Sequence, residues 1–167
     1  MSDVNTDAQA DGKVKDRKVG GLQLSLKGRA LRLLSQREHS RQELERKLLA
    51  FEEVPGELTQ ALDFLQAKGF INEQRVVESV VNRRSNKLGA SRVRQELQAK
   101  GLPAEAIAEA VQDLRSTELE RAREVWRKKF GTPPADGAAR AKQARFLASR
   151  GFAPEVVRRV VAGADEL

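Results

Sequence analysis

Three stretches, ALRLLSQR at residues 30–37, VESVVNRR at 77–84 and AREVWRKK at 122–129, carry one pattern. Apolar residues fall at the first, fourth and fifth positions and a basic residue at the eighth: Ala30, Leu33, Leu34, Arg37; Val77, Val80, Val81, Arg84; Ala122, Val125, Trp126, Lys129. That spacing is one face of an α-helix. A helix face that returns at intervals in the forties marks a module written three times, and such arrays work by presenting a long surface to a partner.

Working outward, each stretch opens a three-helix module. In the first, a helix over about 22–37 is followed by a turn, and Ser40 with Glu43 forms a capping box for a second helix carrying Leu44 and Leu48. After Val54, Pro55 and Gly56, a third helix places Leu58, Ala61, Leu62 and Leu65 on one side and ends at Gly69, a favoured left-handed terminator. The second module repeats the order with Asn72 as cap, a break at Gly89, Val93 and Leu97 in place of Leu44 and Leu48, a stop at Gly101, a restart at Pro103, and Ile107, Ala110, Val111 and Leu114. The third opens on Thr117 and Glu120 as another capping box, has a longer linker with Pro133 and Pro134, and continues with a helix over about 138–150 and a stripe of Val157, Val160, Val161 and Ala164. The closest internal match sets Leu97, Lys100, Gly101, Leu102 and Glu105 on Leu147, Arg150, Gly151, Phe152 and Glu155. No alternating β-branched stretch argues for a sheet. The expected fold is all-α, with three tandem three-helix repeats in an elongated, curved array: a flexible tail over 1–21, then repeats over 22–69, 70–115 and 116–167.

Composition narrows the function. One histidine, no cysteine and no tyrosine remove zinc sites, Cys-His catalysis and tyrosine nucleophiles. No Walker loop, dinucleotide fingerprint or nucleophile elbow is present. The expectation is a binding protein rather than an enzyme, with no cofactor and no metal. No segment reaches about 18 consecutive apolar residues, and with no cysteine the expected setting is soluble and cytoplasmic.

The formal charge of +7 is concentrated. Segment 27–50 has seven basic and three acidic residues, 75–100 seven and two, 121–150 nine and two, so each module carries its excess on its first two helices. One reading is a set of solvated helix faces. The other is a periodic cationic surface for nucleic acid or an acidic polymer. Arg37, Arg84 and Lys129 either pack their stems on apolar neighbours with the charge in water or line a shared groove. Arg83, Lys87, Arg92 and Arg94 cluster in the second module; Arg127, Lys128, Arg140, Lys142 and Arg145 cluster in the third. Aromatic residues are nearly absent from these patches, against a base-stacking platform. Trp126 falls on an apolar stripe and reads as core, and His39 reads as a turn residue. The glycines Gly69, Gly101 and Gly151 are accounted for by helix ends.

Taken in order, these pieces resemble a known family. The turn REHSRQEL at 37–44 resembles the first-module signature of the bacterial RecX regulatory proteins; GFINEQR at 69–75 and the Gly89 turn into Arg92, Val93, Glu96 and Leu97 resemble the central module; Arg150, Gly151, Phe152 resemble the end of the third. Where the central module commonly has an Asp and then aromatic and alanine positions, this chain has Glu73, Val76 and Val77. The resemblance implies a monomeric modulator that binds the RecA filament on DNA and inhibits its ATPase, strand-exchange and coprotease activities, so regulating DNA repair, homologous recombination and the SOS response. Direct DNA contact would be weak or nonspecific. Arg37, Arg41, Arg83, Arg84, Lys87, Arg92, Arg94, Arg127, Lys128, Arg140, Lys142 and Arg145 are then the candidate contacts to RecA or DNA. The alternative is an autonomous, sequence-nonspecific nucleic-acid-binding helical repeat protein.

Overall fold

The computed structural model describes residues 23–163, so the expected tail over 1–21 lies outside the described residues. Among the described residues there are nine α-helices and no strand: α1 (Leu26–Gln36), α2 (Arg41–Leu48), α3 (Glu57–Ala67), α4 (Glu73–Arg84), α5 (Ala90–Ala99), α6 (Ala104–Ser116), α7 (Glu118–Lys129), α8 (Gly137–Ser149) and α9 (Pro154–Gly163), with a 3-10 turn at Leu49–Phe51 after α2. None of these helices is long and apolar enough to cross a membrane.

The helices fall into three triplets because their apolar stripes close on one another. Leu26, Ala30, Leu44, Leu48, Leu58, Ala61, Leu62, Leu65 and Ile71 form one core, Val76 through Leu114 a second, and Ala122, Trp126, Leu147, Phe152, Val157, Val160 and Val161 a third. Each core draws on one module only. Ile71 belongs to the first, so that core reaches two residues beyond Gly69. Leu44, Leu62, Leu97 and Leu147 have no exposed surface, and burial of each contributes about 1.5–3 kcal/mol. Trp126 is core as expected, and its Nε1 donates to Gln143 Oε1 at 2.8 Å, so its one polar atom is satisfied.

The helix ends follow local chemistry. Ser40 accepts from the Glu43 amide at 3.1 Å while Glu43 accepts from the Ser40 amide, completing the expected capping box, and Asn72 caps α4 through the Arg75 amide. α1 begins at Leu26 rather than near residue 22, because Ser25 caps it through the Gly28 amide. The expected Thr117–Glu120 capping box does not form. Thr117 sits between two consecutive helices at φ −112° and ψ 4°, its hydroxyl donates to the Leu114 carbonyl, and it makes no cap bond. The linker with Pro133 and Pro134 lies inside the third module. Gln143 Nε2 donates to the Thr132 carbonyl, and Phe130 meets Phe146 edge-on with centroids 5.5 Å apart, so it is tied to α8.

Candidate functional site

The residues that decide how the modules present themselves lie at the two joints between them, and both joints are built alike. The last carbonyls of a helix carry partial negative charge and lack intrahelical donors. At the first joint, Ser40 at the start of α2 donates from Oγ to the Lys100 carbonyl at 2.6 Å, and Arg46 donates from Nη1 to the Ala99 carbonyl at 3.0 Å. At the second, the Gly89 amide at the start of α5 donates to the Arg150 carbonyl at 2.8 Å, and Arg92 Nη1 donates to the Ser149 carbonyl at 2.9 Å. Ser40 and Gly89 each stand four residues ahead of a core position, Leu44 and Val93. The second helices of successive modules therefore meet end to end, the C-terminus of one against the N-terminus of the one before it.

Glycine is required where these ends touch. A Cβ on Gly151 (φ +87°) would lie 2.3 Å from Arg92 Cγ and 2.7 Å from the Arg92 amide nitrogen. One on Gly101 (φ +71°) would lie 1.4 Å from Gln42 Oε1. These glycines are thus more than helix terminators, and the fifty-residue match of 97–105 on 147–155 is the repeat of the surface that docks on the preceding module. Gly89 has no side chain with which to cap α5, and the next module supplies one: Glu118, 4% exposed, accepts from the Ala90 amide at 2.7 Å.

Two arginines outside the expected set lock the corners. Arg75 donates to the Gly69 and Phe70 carbonyls at the end of the first module and pairs with Glu38 at 2.9 Å. Arg121 does the same one module on, donating to the Ser85, Leu88 and Leu114 carbonyls at 2.7, 2.7 and 2.8 Å. Burial lowers the Arg121 pKa and nearby Glu118 opposes that shift.

The first joint also carries a buried polar network. Burial alone would raise the Glu43 pKa, but hydrogen bonds from Arg37 at 2.6 Å, the Ser40 amide at 3.2 Å and Lys100 at 3.1 Å outweigh it and hold the carboxylate at about 2. His39, 1% exposed, is indeed a structural turn residue; burial lowers its pKa below the usual 6.5. Lys47 can only donate, so His39 Nε2 accepts from it at 3.2 Å and Nδ1–H donates to the Arg37 carbonyl at 3.0 Å. Both shifts have the same sign for acid. Below pH 6.5 the unfolded chain protonates its histidine before the folded one does, and between about 4.5 and 2 it protonates the carboxylate before Glu43 takes a proton, so stability falls in both windows as pH drops. Urea denaturation at stepped pH is expected to lose about 3 kcal/mol across the lower window. Glu43→Gln is expected to be less stable at pH 7 and to flatten that window.

Of the twelve candidate cations, most are already engaged. Arg37 bridges to Glu43, Arg41 to Asp63 at 2.7 Å and Glu45 at 3.2 Å, Arg83 and Arg84 to Glu96 at 3.4 and 3.1 Å, and Arg127 and Lys128 to Glu124. Arg37 and Arg84, from the repeated pattern, thus tie the first helix of a module to the second, and Lys129 lies over the Phe146 ring with its ammonium 5.4 Å from the centroid. Arg92 serves the joint. Arg140 is exposed near the start of α8. The side chains of Lys87, Arg94, Lys142 and Arg145 make no hydrogen bond or ion pair among the described residues. Lys142 and Arg145, three apart on α8, share its exposed side, opposite Gln143 and Leu147.

The comparisons with known proteins agree with this architecture. Family profiles described as the first, second and third three-helix domains of RecX match residues 27–65, 72–111 and 116–161. A regulatory protein RecX from Leptothrix cholodnii is 57% identical over 143 residues, covering 86% of this chain and 91% of the relative; one from Ralstonia pickettii is 49% identical over 144 residues, with the same coverage. The crystal structure of RecX from Lactobacillus salivarius superimposes with a TM-score of 0.70 at 19% identity, over 85% of this chain and 96% of that one. With three matched domains in order and a relative at that identity over most of its length, the chain belongs to the RecX family of regulatory proteins.

Proposed function

We propose that this regulator binds, as a cytoplasmic monomer, the RecA filament on DNA and damps its ATPase, strand-exchange and coprotease activities. The observation that supports the reading best is that the same two helix tips, the C-terminus of one second helix and the N-terminus of the preceding one, meet at both joints. A partner that is itself a helical polymer repeats its surface at a fixed interval, and modules set by one recurring joint meet successive protomers in the same way. Each engaged module then raises the effective concentration of the next, so no single strong contact is needed. Of the candidate cations, the unengaged Lys87 and Arg94 of the second module and Lys142 and Arg145 of the third offer charge to phosphate or carboxylate on that partner.

The test is RecA-dependent ATP hydrolysis on single-stranded DNA with the chain added below and at equal stoichiometry, together with filament co-sedimentation. Inhibition is expected below one chain per protomer. The Lys142→Glu/Arg145→Glu variant is expected to fold normally, since both positions are exposed, and to need about tenfold more protein for half-inhibition, with a shallower salt dependence. No inhibition and no co-sedimentation at low salt defeats the reading. Tight, salt-sensitive binding to naked DNA without inhibition would instead favour the autonomous nucleic-acid reading.

A further inference from the structure

Among the described residues, the large apolar side chains left substantially exposed all belong to the first module: Leu24, Leu31, Leu49, Phe51, Val54, Phe64 and Phe70. The second and third modules have none in that set. Part of this surface is a formed groove of about 210 Å³ between α1 and the end of α2, floored by Leu33, Leu48, Leu24 and Phe51. Its rim is Arg29, Arg32, Gln36 and Lys47, and no carboxylate lines it. Two of its cations are held in place: the Arg29 guanidinium lies 3.9 Å from the Phe51 centroid, and Lys47 is fixed by its bond to His39. The Arg32 guanidinium makes no hydrogen bond or ion pair among the described residues.

We propose that this groove docks an acidic amphipathic segment of a protein partner, its aliphatic side chains on the leucine and phenylalanine floor and its carboxylates against Arg32 and Lys47. Charge complementarity selects the occupant: every ionisable residue of the lining is cationic, and the apolar floor leaves a purely electrostatic ligand without a use for it. Nucleic acid fits less well. One face of Phe51 is already covered by Arg29, and the remaining floor is aliphatic, whereas single strands are gripped by open aromatic faces. An aliphatic floor with a charged rim instead suits a helix laid in by one apolar face. An adjoining hollow that shares Leu24, Arg29 and Phe51 is lined also by Glu53 and Glu57, so the occupant's carboxylates are favoured toward Arg32 and Lys47, which that hollow lacks. The site lies apart from the open cations of the second and third modules, and its test needs neither RecA nor DNA.

The probe is a fluorescein-labelled helical peptide of about 16 residues with leucine on one face and glutamate on the other, titrated by fluorescence anisotropy into the full chain. Binding is expected, with a scrambled peptide of identical composition about tenfold weaker, and Arg32→Glu and Phe51→Ala each weakening the amphipathic peptide by about tenfold. Both positions are solvent-accessible, and circular dichroism reports whether the variants keep their helices. Amide resonance shifts in the wild-type chain are expected around Leu33, Lys47 and Phe51. Equal affinity for the scrambled peptide, tighter binding of an oligothymidylate or an anionic vesicle at those residues, or indifference to both substitutions in a folded chain overturns the proposal.

Discussion

Replacing Gly89 by alanine is expected to part the third module from the second while leaving all three cores folded. The backbone at Gly89 has φ −75° and ψ 166°, where any residue is at ease, so alanine brings no local strain. Its Cβ, however, would stand 2.3 Å from the Gly151 carbonyl carbon and oxygen and 2.4 Å from the Phe152 nitrogen. These are main-chain atoms at a helix end and cannot swing aside. Relieving the overlap separates α5 from α8 and gives up the Gly89–Arg150 and Arg92–Ser149 bonds, a loss of about 3 kcal/mol. Urea denaturation gives the size, and small-angle scattering shows the separation. The control is Gly137→Ala at the start of α8, where nothing lies within 4 Å of the added methyl. If the joint did not exist in solution, Gly89→Ala would match that control, neutral or stabilising by about 0.5 kcal/mol through the unfolded chain.

Arg121→Ala is expected to cost about as much by a different route. The guanidinium donates to the Ser85, Leu88 and Leu114 carbonyls and to Thr117 Oγ1. Truncation takes the guanidinium donor from the Ser85 and Leu88 carbonyls, weakens the bonding of the Leu114 carbonyl, and leaves the buried Glu118 without its neighbouring cation. Stripping one partner from such a network costs about 3 kcal/mol, which corresponds to a melting temperature lower by about 8 °C. Arg121→Lys is expected to recover less than half, because a single ammonium cannot span carbonyls contributed by two separate elements. Full recovery by lysine would mean that charge alone matters there.

Sequence reading took Gly89 as a chain break and a family turn without its part in the joint, and did not single out Arg121; the reason is physical. Apolar spacing reports what a helix buries within its own module, so α1 to α9 and their cores were legible from Ala30, Val77, Ala122 and their companions. Caps that use a side chain on the next turn, Ser40 with Glu43 and Asn72 with Arg75, were legible for the same reason. Thr117 shows the limit: the composition of a cap was present, but the preceding helix ran directly into it and left no extended residue. The cations were harder. Ion pairs such as Arg41 with Asp63 or Lys100 with Glu43 join residues far apart in the chain, so a charge run gives no hint of which heads are taken. The joints left one clue, the run 97–105 repeated at 147–155, whose closeness exceeded what a helix terminator needs. Arg121 left none, since its acceptors are main-chain carbonyls that every residue possesses.

The end-to-end meeting of the second helices has a mechanical meaning. A chain whose modules shared one core would resist stretching until it unravelled as a whole. Here each module keeps its own interior, and neighbours are fastened by a few bonds at helix tips. Under tension along the chain, those fastenings yield first and the modules separate intact, ready to click back when the load is released. A protein laid along a moving polymer could in this way give by one link and stay attached through the others.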